Sequence, residues 1–96
     1  MEKNSIFEKD PTAVLSYGFD WTEWLPTGHS ISSSSWTVPS GITNNGTSYD
    51  SDTDITSIIL SGGTEGQSYT IKNTIVTSGA TPLTDSRTFK INVLTR

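Results

Sequence analysis

Few residues in this 96-residue chain could do chemistry. A serine triad needs a histidine as its base, and His29 is the chain's single histidine. It stands in Pro26-Thr27-Gly28-His29-Ser30, which reads as a surface turn entering a strand, and no G-x-S-x-G elbow surrounds any serine. Asp20 and Glu23 could be paired for glycoside cleavage. Asp20, however, has the solvent parity of its segment, and so short a chain has little room for a deep cleft. Asp50-Ser51-Asp52-Thr53-Asp54 carries the alternating acids of a calcium loop, yet Ile55 stands where that loop needs glycine and Ser61 where it needs glutamate. These acids read as a solvated connection, with a weak cation site as the alternative. Asn45-Gly46-Thr47 fits a glycosylation sequon but reads as a turn. Gly62-Gly63-Thr64-Glu65-Gly66 has no helix after it to aim amides at a phosphate. The absence of cysteine removes thiol nucleophiles, thiolate metal sites and disulfides. The expectation is a protein that is not an enzyme and has no cofactor.

The elements that would position these residues are strands. Serine and threonine make up roughly a third of the chain and suit strands and turns. No window repeats apolar residues at helical spacing over two turns; alternation recurs instead. Leu15, Tyr17, Phe19 and Trp21 share one parity and predict a first strand with its rings inward. Four of the nine aromatic residues fall in Tyr17-Gly18-Phe19-Asp20-Trp21-Thr22-Glu23-Trp24-Leu25. Trp24 and Leu25 break the alternation, so they are placed on a turn that closes one end, with docking as the other reading of Trp24. Residues 31–38 form a second strand, in which Ile31 and Trp36 have opposite parity and need a bulge or twist between them. Asn44-Asn45-Gly46 predicts a tight hairpin turn. Residues 55–61, 69–76 and 89–93 supply further strands.

About six or seven short strands in one small domain predict an all-β fold, an immunoglobulin-like antiparallel sandwich, with a small closed barrel as the alternative. Tyr69, just after a glycine turn, fits the tyrosine that clamps a corner of such sandwiches. Residues 1–13 are read as an amino-terminal arm and 14–96 as the sandwich. Within the arm, Ile6 and Phe7 are apolar in a charged stretch and are candidate partner contacts. Pro82 and Leu83, at the tip of a glycine- and proline-containing loop, are a second pair.

The formal charge is −4, and no lysine or arginine lies between Lys9 and Lys72. A duplex-binding surface needs a stripe of positive charge, so no nucleic acid partner is expected. Acids dominate the first two thirds and Lys72, Arg87, Lys90 and Arg96 the last third, which reads as ordinary solvated faces or as two poles for docking. No apolar run approaches the roughly eighteen residues of a membrane span, and the amino terminus has no signal-peptide pattern. A complete gene product made in the cytoplasm is the expectation.

The order Lys9-Asp10-Pro11, Tyr17-Gly18-Phe19-Asp20-Trp21, Trp24-Leu25, Ile31, Ser35-Trp36-Thr37-Val38-Pro39 and Gly41 resembles small bacteriophage fiber-tail adaptor proteins. Leu60-Ser61-Gly62-Gly63-Thr64, Gly66, Tyr69, Ile71, Asn73 and Ile75 continue that pattern, and the resemblance runs from about Lys9 to Val93. The loop from Gly79 to Asp85 is longer than the short glycine turn expected there. The resemblance implies an immunoglobulin-like structural part of a tailed-phage virion, located where tail or neck meets a fiber. Its partners would be other virion proteins and, by the symmetry of virions, copies of itself in a ring. A carbohydrate- or protein-binding module and a capsid decoration protein are the alternatives.

Overall fold

The computed structural model describes residues 5–94. Seven strands and no helix make up this region: β1 (Ser5–Lys9), β2 (Leu15–Asp20), β3 (Ser30–Thr37), β4 (Ile42–Asp50), β5 (Ile55–Gly62), β6 (Ser68–Ser78) and β7 (Thr84–Val93). They form two sheets, in the orders β1-β7-β6-β3 and β2-β5-β4. Lettered A to G in chain order, the sheets are A-G-F-C and B-E-D. This is the immunoglobulin arrangement with its first strand moved to the opposite sheet. Every neighbouring pair is antiparallel except β1 with β7, which is parallel.

Strict alternation builds the core. Tyr69, Ile71, Asn73, Ile75 and Thr77 of β6 all point inward and are buried, as are Phe89, Ile91 and Val93 of β7. Opposite them stand Ile58 and Leu60 of β5 and Ile42 of β4, with Tyr17, Phe19 and Trp36 packed against the cluster. Each fully buried aliphatic side chain contributes roughly 1.5–3 kcal/mol. Trp21, Ile31 and Ile75 form a second cluster under one end. Trp21 is fully buried, as its parity predicts. The conflict between Ile31 and Trp36 is resolved as expected, by a register shift between Ile31 and Ser33.

Two local expectations differ from the structure. Asn44-Asn45-Gly46 is not a hairpin turn: β4 runs through it as one strand, with the register shifting between Asn44 and Gly46. The Asn44 side chain accepts a hydrogen bond from the Gly46 amide at 2.9 Å, and Gly46 takes φ 141°. The same residue types that make a tight turn thus make a β-bulge. The second difference is in residues 1–13, where the segment expected to lie outside the sandwich includes β1, an edge strand paired along its length with β7.

Candidate functional site

The connections gather at two ends. At one end lie residues 21–29, 51–54 and 79–83, tied by backbone hydrogen bonds from Trp21 N–H to Asp54 O and from Thr77 N–H to Leu83 O. At the other end Gly66 and Val93 are joined, Leu94 N–H donates to Lys9 O, and Tyr69 makes its corner. The Thr64 amide donates to the Tyr69 hydroxyl at 3.0 Å, which is the clamp expected of this tyrosine.

The residues with chemical potential are spent on structure. His29 Nδ1 lies 2.9 Å from the Thr77 hydroxyl, which also accepts from the Leu83 amide, so the histidine pins two loops together. Ser30 Oγ meets Ser78 Oγ. Asp20 is exposed and accepts from the hydroxyl and amide of Thr22, and these two bonds hold its carboxyl below the usual range. Asp50 accepts from the amides of Asp52 and Thr53, and Asp54 accepts from the Ile31 amide at 3.2 Å. The calcium-like acids therefore build a tight turn, in which Asp54 adopts φ 58°. Among the described residues no three His, Cys, Asp or Glu side chains converge as a metal site, and no helix is long and apolar enough to cross a membrane. The best-formed depression is shallow and open, on the outer face of β2-β5-β4, lined by Ser16, Gly46, Ser48, Ser57 and Ile59 among others.

Three side chains make tertiary contacts whose partners sequence reasoning did not supply. Asn73 is fully buried between the sheets. Its Oδ1 accepts from Trp21 Nε1 at 3.1 Å and from Thr56 Oγ1 at 2.7 Å; its Nδ2 donates to Ser34 Oγ at 3.0 Å and to Ser35 O at 2.9 Å. One side chain thus joins β3 and β6 of one sheet to β5 and the end of β2 of the other. Arg87 covers the Trp21 ring at 4.2 Å and donates to Asp20 O. Lys9 is buried as completely, and its ammonium donates to Gly62 O at 2.7 Å and Asp10 O at 2.9 Å. Burial pushes its pKa below the ordinary lysine value, and the neighbouring Asp10 charge opposes that shift.

The partner-binding candidates occupy different places. Trp24 is half-buried and packs edge-on to Trp21 at 5.5 Å, closing the end of the second cluster. Pro82 is exposed at the tip of the 79–83 loop, and Leu83 is half-buried where that loop folds back on Thr77. Ile6 is the most exposed large apolar side chain among the described residues, at 63%. Phe7 is 40% exposed, yet its ring meets Tyr17 at 5.2 Å and Phe89 at 5.5 Å. Among the described residues, Ile6, Phe7, Val14, Leu15 and Leu94, five of eight exposed large apolar residues, lie on or beside β1, the start of β2 and the end of β7. The structure unites Ile6 and Phe7 with this set and leaves Trp24, Pro82 and Leu83 among the loops of the other end. Sequence reasoning missed Val14, Leu15 and Leu94, because the pairing of β1 with β7 that brings them near is long-range.

The described residues thus form an all-β sandwich with exposed apolar residues gathered along one side. No curated protein matches the chain. Residues 9–92, from the last residue of β1 to the next-to-last of β7, match the family described as podophage GP4 fiber-tail adaptor protein gp77, and the chain belongs to that family.

Proposed function

We propose that this chain is a non-catalytic joint in the tail or neck region of a tailed-phage virion, which seats a fiber or another attached part and acts as several copies around the tail axis. The observation that carries this reading is the family match over nearly the whole sandwich. The physics is consistent with it. The Asn73 network and the Tyr69 corner stiffen a domain that has no disulfide, and a stiff domain transmits force between its partners. Rings arise from heterologous contacts repeated about an axis, and a domain of this size gains stability from neighbours that cover surface it cannot bury alone. Ile6, Phe7, Trp24, Pro82 and Leu83 are the proposed contacts, and neither nucleic acid nor membrane is proposed as a partner. Synthesis in the host cytoplasm precedes assembly.

The test is a quantitative blot of gradient-purified particles. A stoichiometric band matched in copy number to the tail supports the joint, and a number matched to the shell would instead make it a decoration protein. Absence from particles, with protein present in the lysate, would refute the reading.

A further inference from the structure

The topology leaves a gap. Constant-type immunoglobulin sandwiches carry a strand A beside strand B, giving the sheet A-B-E-D. Here β1 lies against β7 in the other sheet, so β2 ends its own sheet with no described strand beyond it. The side of the sandwich where that strand would run is apolar. Leu15 is 36% exposed and Val14 59%, and the Phe7 ring is open to solvent between the two sheets.

The remaining edges are guarded. On β3, the Ile31 amide is covered by the Asp54 carboxylate and the Ser32 carbonyl by the Tyr49 hydroxyl, at 3.2 and 2.8 Å. On β4, the bulge turns the strand and the Gly46 amide is taken by Asn44. β1 carries Glu8, an edge charge of the kind that deters strand pairing. Residues 15–19 of β2 contain no charge and no proline, the two features that most often protect an edge.

We propose that the edge of β2 is a strand-acceptor site, filled by an extended segment of another virion protein that takes the vacant strand-A position antiparallel to β2. This rests on the adaptor reading above and names the contact it uses. Antiparallel pairing is the geometry of that position and the stronger of the two ladders. Alternate residues of the segment face inward against Leu15, Phe7 and Tyr17 and are therefore apolar. Near Asp20 and Glu23, which mark the upper end of β2, the segment carries Lys or Arg. A foreign segment fits better than a second copy. The chain has formal charge −4, so a copy brings like charge to that end. A β2-to-β2 contact would also use the same patch twice and close at a dimer, whereas a joint between unlike parts needs a heterologous contact.

The test uses phage particles. Benzoylphenylalanine is placed at position 15 by amber suppression, the particles are purified and irradiated, and the crosslinked peptides are mapped. The expected result is one crosslink, to a segment of a different virion protein with alternate apolar residues. A parallel variant, Leu15→Glu, should melt within a few degrees of wild type yet lose about tenfold or more of its occupancy in particles. A crosslink to a second copy or to residues 1–4 of the same chain would overturn the proposal, as would protein present in particles without any crosslink. Wild-type protein missing from the particles would instead sink the adaptor reading, and the strand-acceptor site with it.

Discussion

Truncating Asn73 should do more damage than its size suggests. In Asn73→Ala the indole N–H of Trp21, the hydroxyl of Thr56 and the carbonyl of Ser35 all lose a partner while the site stays closed. Each orphaned buried group costs about 1–3 kcal/mol. The indole retains a long contact to Thr56 Oγ1 at 3.4 Å, so the low end applies to it. The sum is about 3–7 kcal/mol, a large part of the roughly 5–15 kcal/mol that holds a domain of this kind together. At about 4–8 °C per kcal/mol for this size, the midpoint should fall by about 12 °C or more. Thermal melting followed by near-ultraviolet circular dichroism reports it, because Trp21 loses its fixed environment as the sheets part. A midpoint within about 4 °C of wild type would refute the reasoning, since it would mean that water enters or that the sheets close over the gap.

The isosteric change Asn73→Asp separates hydrogen bonding from volume. The introduced carboxylate still accepts from Trp21 and Thr56 but faces the Ser35 carbonyl without a donor. Burial raises its pKa above the value of about 3.9 in the unfolded chain. The native state then binds more protons than the unfolded one, so stability rises as pH falls from neutrality towards that unfolded value. A variant that instead loses stability steadily on acidification would show that the site is wet.

Three further perturbations probe the rest of the frame. Tyr69→Phe removes the acceptor of the Thr64 amide and should cost about 1 kcal/mol, with faster hydrogen exchange at Thr64; unchanged exchange would count against the corner. Gly18→Ala drives a Cβ into the Thr56 carbonyl, so β2 must move from β5 at a cost of about 1–3 kcal/mol by denaturant unfolding, and a neutral result would mean that the strands part freely. Lys9→Met keeps the stem packing and removes the amine. The native pKa of Lys9 lies below its unfolded value of 10.5, so between the two the unfolded state binds more protons and wild type gains stability on Lys9→Met as pH rises. A pH-independent difference between the two proteins would contradict that shift.

The sandwich was legible wherever a strand has one wet and one dry face. Tyr17, Phe19 and Trp21, or Tyr69, Ile71 and Ile75, declare their sheet by parity alone, and Ile31 against Trp36 declares even the irregularity between them. Legibility fails where one residue pattern serves two geometries. Asn-Gly fits a hairpin turn and a bulge equally, and only the nine residues of β4 paired against β5 decide for the bulge. The spaced acids at 50–54 fit a cation loop and a turn capped by Asp50 alike, and what the amides of Asp52 and Thr53 form is the capped turn.

Long-range pairing is harder still. β1 is short, is charged at its end and has its partner at the far end of the chain, so nothing local marks it as a strand. Lys9 follows from that: a lysine reads as solvated until β1 is docked and Gly62 O arrives to receive it. Asn73 is the instructive intermediate. Its parity with Tyr69, Ile71 and Ile75 already places an amide inside a hydrophobic strand, and a buried amide must find partners for all its donors and acceptors. The burial was therefore readable, and so was the demand for a network. The partners, Trp21, Ser34, Ser35 and Thr56, come from three other parts of the chain and are brought together by the sheet order alone. That order also leaves β2 at an edge. The rearrangement that conceals β1 from the sequence is the one that opens the strand-A position, so the least legible element of the fold bears most directly on how the domain could join another protein.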